Sequence, residues 1–583
     1  MVQKPTTVEQ KALEASAYDF IYKPAEKIPA LVVNAFPDLG RLVALRFIEW
    51  AQDNPEGVIS LPTGKSPEHF ILWTQRILEQ WDGKEIQNLL KEYGIDPGHK
   101  PDMRGLHFVQ IDEFYPINPE QQNSFNHYVR HFYIDGFGLD ADKALLIDGS
   151  RIGLRKNESL DDIWPGDGEV DLTLRYRHAR STLECRQQEV LQAVDAWCMD
   201  YEERIRALGG IGFFLGGIGP DGHIAFNIRG TDHHSTTRLC PLNYETQAAA
   251  ATDLGGIEVA RKRLAITIGL DTITANPDCS AIIMAAGEAK AGIVADAIEQ
   301  KPDIEYPATV LQKLPEARFY LTSGAAARLH ERKRVDLEMK EALEENDIDR
   351  ILIHLANRAH RPLNKMDCET VEDDPFGKIL MQKIPENLSA LTEKVHDKLE
   401  QNIARGMDAR RDTRFLHTEP HHDDIMLGYF AHVVRHFRQA TNTHHFTTLT
   451  SGFTSVSNTF MTNQLRKLKH FLEDDEFKQL AQEGYFEPEY AMGRNRDVWQ
   501  YLDGVAANDQ TMMGQGMSRR TLRNLMEVFE ESQLDQIHGR IEELLHYLET
   551  QYPGKRDPEH IQKIKGMSRE WEAECLWGYY GWK

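Results

Sequence analysis

The first 325 residues of this chain predict an α/β fold built on a parallel sheet, and three observations carry the prediction. Short apolar runs (Gly57–Leu61, Leu106–Ile111, Ile211–Leu215, Leu264–Ile268 and Ser280–Met284) alternate with stretches of helical period. The runs are near-continuously apolar, as strands covered on both faces are. Three of them end in polar or glycine-rich turns, and open α/β sheets bind ligands outside the carboxyl ends of their strands.

Two further parts follow. Residues 326–410 change to charged, helix-favouring sequence such as Glu331–Glu345. Breaks at Pro362 and Pro375 and a second helical pattern over Ser389–Arg405 make this part a helical connector. Residues 411–583 open as a second α/β domain. A strand-like Arg414–Pro420 leads through His421-His-Asp-Asp424 to an apolar helix over Ile425–Phe437 and a strand-like His445–Thr450. The remainder is helical and charged, so this second domain is expected to be either incomplete or structural.

Composition excludes several functions. At 583 residues, with 41% hydrophobic residues, the chain has apolar material for more than one core, and its net charge of −24 opposes binding to nucleic acid or anionic lipid. No apolar stretch reaches the length of a membrane span, and the polar, acidic start from Met1 to Tyr18 is unlike a signal peptide, which points to the cytoplasm. The six cysteines (Cys185, Cys198, Cys240, Cys279, Cys368, Cys575) form no C-x-x-C pair, so reduced, structural thiols are expected.

The chemistry gathers at the strand ends. Leu61-Pro-Thr-Gly-Lys-Ser-Pro67 combines hydroxyls, a glycine and a lysine where a helix starts, a turn whose N–H groups suit a phosphate at Thr63, Gly64, Lys65 and Ser66. It lacks the Walker A spacing. The next run ends in the adjacent carboxylates Asp112 and Glu113, and one such carboxyl facing a pocket can move a proton on carbon. The run at Ile211–Leu215 enters Gly216-Gly-Ile-Gly-Pro-Asp221-Gly-His223-Ile-Ala-Phe-Asn227. Its glycines let backbone approach a ligand, and Asp221 and His223 lie two apart as an acid–base pair.

Leu61-Pro-Thr-Gly64, Ile111-Asp-Glu113 and Gly219-x-Asp221-Gly-His223-Ile-Ala-Phe-Asn227 resemble, in order and spacing, the three signatures of glucosamine-6-phosphate deaminases. The resemblance covers about residues 30–325. It implies a Rossmann-like domain, needing no metal or organic cofactor, that converts glucosamine 6-phosphate to fructose 6-phosphate and ammonia. On matching positions Asp112 would move a proton between C2 and C1, His223 would assist ring opening, and Asp221 would orient His223. The phosphate would rest on Thr63–Ser66, with Arg238 and Arg263 as cationic clamps. Lys65 stands where the family usually has a second glycine, and Ile228 where it has a glutamate; Asp232, His233 and His234 are the nearest groups that could substitute. Family members often assemble, so a homo-oligomer is expected. The related 6-phosphogluconolactonases share the Gly-Pro-Asp-Gly-His element, so lactone hydrolysis and non-catalytic sensing of a sugar phosphate stand as alternatives.

The segment His421-His-Asp-Asp424 places a histidine and an aspartate three apart at a strand end, where both can face one zinc ion and leave Asp423 as a base. It resembles the His-x-Asp-Asp motif of zinc-dependent N-deacetylases of the PIG-L type, which implies His421 and Asp424 as metal ligands and Asp423 as general base. For a third ligand the sequence offers His538, His546 and His560, the last in Asp557-Pro-Glu-His560.

Overall fold

A computed structural model describes residues 4–166, 168–384, 387–487, 490 and 492–581. The chain forms two compact units, one of residues 1–247 and 261–403 and the other of residues 248–260 and 404–583.

In the first unit seven parallel strands form one sheet. They are β1 (Ala30–Val33), β2 (Val58–Ser60), β3 (His107–Val109), β5 (Ala144–Leu145), β6 (Phe213–Gly217), β9 (Ser280–Ala285) and β10 (Arg318–Thr322), in the spatial order β1-β10-β9-β6-β2-β3-β5. Successive residues divide between two cores. Ile59, Phe213, Leu215, Ile282 and Met284 pack on one face, while Val58, Phe214, Ala281 and Ile283 pack on the other. This double burial is why the runs read as continuously apolar. The chain moves outward from β2 through β3 to β5 and, in the other direction, from β6 through β9 to β10. The carboxyl ends of the neighbouring β2 and β6 therefore border the crevice where such sheets take ligands.

Three strands depart from the sequence reading. β4 (Asp112–Tyr115), β8 (Leu264–Thr267) and β7 (Arg238–Pro241) form a separate antiparallel sheet with β8 in the middle. The Leu264–Ile268 run, expected in the parallel sheet, is instead this central strand. All four residues of β8 are buried, and burial on both faces gives the same apolar run in either sheet type. The run Leu106–Ile111 leaves the large sheet after β3. Gln110 holds that exit, with its side chain donating to the Asp112 carbonyl at 2.8 Å and accepting from the Ile147 N–H at 2.9 Å.

The helices His330–Met339, Glu345–Ala359 and Pro375–Lys383 of the charged region build their own small core around Leu337, Leu352, Leu355, Val371 and Leu380. In the second unit β11 (Arg414–Glu419) and β12 (Thr443–Thr448) pair in parallel and are its two strands among the described residues. The rest of that unit is helical, with a core of Leu465, Leu468, Leu522, Leu525, Ile537 and Ile541. No helix of the described residues is long and apolar enough to cross a membrane.

Candidate active site

The turn after β2 is shaped by its surroundings. Gly64 has φ +87°, the left-handed region that glycine enters without strain. The Tyr128 hydroxyl donates to the Gly64 carbonyl at 2.9 Å and the Tyr133 hydroxyl to the Pro62 carbonyl. The N–H groups of Thr63, Gly64, Lys65 and Ser66 take no partner among the described residues. Carbonyls held on one side and N–H groups left unbonded at a helix start make an anion cradle. Across the crevice, a Cβ built on Gly217 of β6 would lie 3.9 Å from the Ser66 hydroxyl, so the two strand-end turns meet.

The turn after β6 carries the acid–base pair. His223 Nδ1 lies 2.5 Å from Asp221 Oδ1, and Asp221 Oδ2 accepts from the Asn243 side-chain amide at 2.7 Å and from the Arg229 N–H at 3.3 Å. Burial opposes the charge on Asp221, but the His223 bond and charge, with these two donors, outweigh it and hold the carboxyl well below the usual range. The Thr246 hydroxyl approaches His223 Nδ1 to 3.4 Å. The Asp232 carboxylate, by contrast, is committed within its own turn, where it accepts the His234 backbone N–H at 2.8 Å, and His233 faces the Asp303 carbonyl at 3.2 Å.

The two adjacent carboxylates of β4 have different tasks, because neighbouring strand residues face opposite ways. Glu113 is an anchor: it accepts from the Ser124 hydroxyl and Asn126 N–H, each at 2.7 Å, and from the Phe125 and Phe114 N–H groups at 3.0 Å, capping the helix Phe125–Val129. Burial still pushes it up to about 7 against those donors. Asp112 accepts no such set. Burial, and then the charge of Glu113, push its carboxyl up to about 8. In register, Asp112 and Arg238 flank Thr267 on opposite sides, which puts their backbones about 10 Å apart. The Thr267 hydroxyl accepts the Phe226 N–H at 3.1 Å, tying the small sheet to the His223 turn. The Phe226 ring stands 6.3 Å from that of His223 and 5.5 Å from that of Phe114.

Arg238 is half-buried and donates to the Asn227 side-chain oxygen at 2.9 Å, and Asn227 in turn bonds the Ile224 and Ile268 carbonyls. Arg263 is placed elsewhere. It precedes Leu264, at the end of β8 opposite Thr267, and donates to the Gly168 carbonyl at 3.3 Å. Four residues of strand, about 13 Å, separate it from the level of Asp112 and Arg238. Lys290, from the turn that follows β9, lies in the field of Asp221. Burial pulls its ammonium down and Asp221 pushes it up. The sequence reading missed Lys290, although Gly287-Glu-Ala-Lys290 follows the apolar run of β9 as the other site turns follow theirs. Asn243 carried no sequence signal.

The segment at His421 has a different neighbourhood. His421 Nδ1 lies 2.5 Å from Asp423 Oδ1, and its Nε2 faces the Ser451 carbonyl at 3.2 Å. The Arg569 guanidinium is set against the same ring, 3.0 Å from Nε2, and Asp424 Oδ2 accepts the His421 N–H at 2.8 Å. Both ring nitrogens are thus engaged, and a guanidinium faces the ring. His538 lies on the helix Leu534–Thr550, as does His546, while His560 lies on Glu559–Tyr579, its ring near Phe529. Among the described residues the cluster spaced for a metal is His396, Asp397 and Glu400, half-buried to exposed on the helix Leu388–Met407. The residues at His421 do not fit zinc.

No protein-family model matches the chain. Curated relatives do. The glucosamine-6-phosphate deaminase of Bacillus velezensis is 25% identical over 291 residues, 50% of this chain and 95% of its own. That of Halothermothrix orenii is 26% identical over 300 residues, 51% of this chain and 99% of its own. The N-terminal half is homologous to glucosamine-6-phosphate deaminases. A glucosamine-6-phosphate isomerase of Candida albicans is 38% identical over 134 residues, 23% of this chain and 54% of its own. Among solved structures, a monomeric glucosamine-6-phosphate deaminase aligns at a TM-score of 0.38 and 20% identity, over 51% of this chain and 99% of its own. The 6-phosphogluconolactonase of Trypanosoma brucei aligns at 0.34 and 16%, over 52% and 100%.

Proposed function

We propose that the first unit converts glucosamine 6-phosphate to fructose 6-phosphate and ammonia. The phosphate rests on the N–H groups of Thr63–Ser66, with Arg238 and Lys290 offsetting its charge. His223, its Nδ1 committed to Asp221, presents Nε2 to the sugar and carries the O1 proton to the ring oxygen, opening the ring. Asp112 takes the proton from C2 and returns it to C1 while O1 gains a proton and the C2 amine gives one up, leaving a hydroxymethyl at C1 and an imine at C2. Water adds there and ammonia leaves, giving the ketone. The observation that carries the reading is the Asp112 carboxyl, buried and raised to about 8, because a base that must both take and return a proton works best near the ambient pH.

The test is ammonia release and fructose 6-phosphate formation by the purified chain, beside Asp112→Asn. Turnover that the substitution abolishes supports the reading. Saturable binding of the sugar phosphate without turnover, or hydrolysis of 6-phosphogluconolactone instead, would replace it.

A further inference from the structure

Asn243 ends the segment after β7 and opens the helix Tyr244–Leu254, and both ends of its amide are committed. Its oxygen accepts the Thr246 N–H at 3.0 Å, capping the helix, while its nitrogen donates to Asp221 Oδ2 at 2.7 Å. A flipped amide would set donor against donor and oxygen against oxygen, so the orientation is fixed. Thr246 closes the circuit, with its hydroxyl 3.4 Å from His223 Nδ1. The side chains of Asn243, Asp221 and His223 and the N–H and hydroxyl of Thr246 thus form a closed ring of contacts, and Asp221 and Thr246 are both buried.

We infer that Asn243 is a positioning residue that acts through Asp221, holding its carboxylate in the orientation that meets His223 Nδ1 and leaves Nε2 for the substrate. A carboxylate has two equivalent oxygens and can rotate about its χ2 bond. With Oδ2 bonded to Asn243 and to the Arg229 N–H, Oδ1 is the oxygen left for His223 Nδ1. The other charged groups about Asp221 are Lys290, from the turn after β9, and Arg229, which is itself 3.8 Å from Glu305 and in the field of Asp296. Asn243 is a neutral donor among them. It fixes geometry without adding charge, and residue 228, an isoleucine, offers no polar group for that purpose. The effect on rate rests on the proposed reaction; the effect on His223 does not.

Asn243→Asp and Asn243→Ser separate positioning from capping, because both residues are good helix caps. Aspartate turns the donor into an acceptor facing Asp221 Oδ2, and serine is too short to reach it. The readouts are the imidazole titration of His223, followed by NMR and assigned by its loss in His223→Gln, and the pH profile of kcat/KM. We expect Asn243→Asp to move the His223 titration upward by about one pH unit, through a second negative charge beside the imidazolium, with the acid limb of kcat/KM moving alongside. Asn243→Ser should lower kcat/KM roughly 10-fold with little change in KM, the loss of one orienting hydrogen bond. Asn243→Ser should also move the His223 titration, because Asp221 is no longer held against Nδ1; a wild-type titration in that variant would overturn the inference and leave Asn243 a helix cap. The titration needs no substrate, so a chain that fails to deaminate still tests the role of Asn243.

Discussion

Asp112→Asn should abolish activity and stabilise the protein, the stabilisation growing with pH. In the folded unit the Asp112 carboxyl is raised from 3.8 to about 8, first by burial and then by the charge of Glu113. A group whose folded pKa lies above its unfolded one contributes its full stability below the unfolded pKa and loses it as pH rises through the folded pKa. Between pH 4 and pH 8 the folded Asp112 therefore keeps its proton while the unfolded one ionises, and the wild type loses stability with each pH unit. Four pH units at 1.36 kcal/mol each set an upper limit of about 5 kcal/mol. Relaxation around the charge returns part of this, and a realised gain of about 2 kcal/mol corresponds, in a unit of this size, to a rise in Tm of roughly 2–3 °C. Asparagine is close to isosteric and does not titrate, so the difference from wild type should be near zero at pH 4 and largest above pH 8. Thermal unfolding of both proteins across that range measures it, while kcat should fall by about 10³-fold or more. A Tm difference independent of pH, or a variant less stable than wild type at pH 8, would refute the argument that burial holds this carboxyl poised.

Lys290→Met should raise KM for the sugar phosphate roughly 10- to 100-fold, the loss of one charge-assisted phosphate contact, whereas Arg263→Ala should leave KM unchanged; steady-state kinetics of the two variants test the assignment. Glu113→Ala should destabilise the unit by about 2–4 kcal/mol in denaturant unfolding, because it leaves the buried Ser124 hydroxyl and the opening N–H groups of Phe125–Val129 without their acceptor.

The turns after β2 and β6 were legible in the sequence because each combines an apolar run with glycine and polar residues that no core would require, and both lie at one sheet edge. The division of labour between Asp112 and Glu113 was not legible. It depends on Ser124 and Asn126, which β4 meets only after the intervening turn has folded back. The antiparallel sheet was hidden for a similar reason. Strand direction is set by which neighbour β8 finds, and Leu264–Thr267, buried at every position, would suit a parallel neighbour equally well. Lys290 shared the strand-end rule of the recognised turns but brought one charge and no hydroxyl. Asn243 is an ordinary helix cap until Asp221 is placed opposite its nitrogen.

At His421 the same logic cut the other way, since the spacing of a metal motif is present and its surroundings are wrong. Zinc bound to His421 Nε2 would sit about 2 Å from that nitrogen, and so within about 5 Å of the Arg569 guanidinium nitrogen that now lies 3.0 Å from it. At an effective dielectric of about 20, a divalent ion and a guanidinium at that separation repel by about 7 kcal/mol, close to a micromolar binding energy. Arg569 is held there by Glu572 as well, so moving it away breaks an ion pair. The chain should therefore show no zinc uptake at micromolar concentration by calorimetry, and EDTA should leave its Tm unchanged. Arg569→Ala removes the repulsion and should admit weak binding, because His421 and Asp424 alone still make an incomplete site. Stoichiometric zinc in the wild-type chain would show that Arg569 yields to the metal, and the argument from its position would fail.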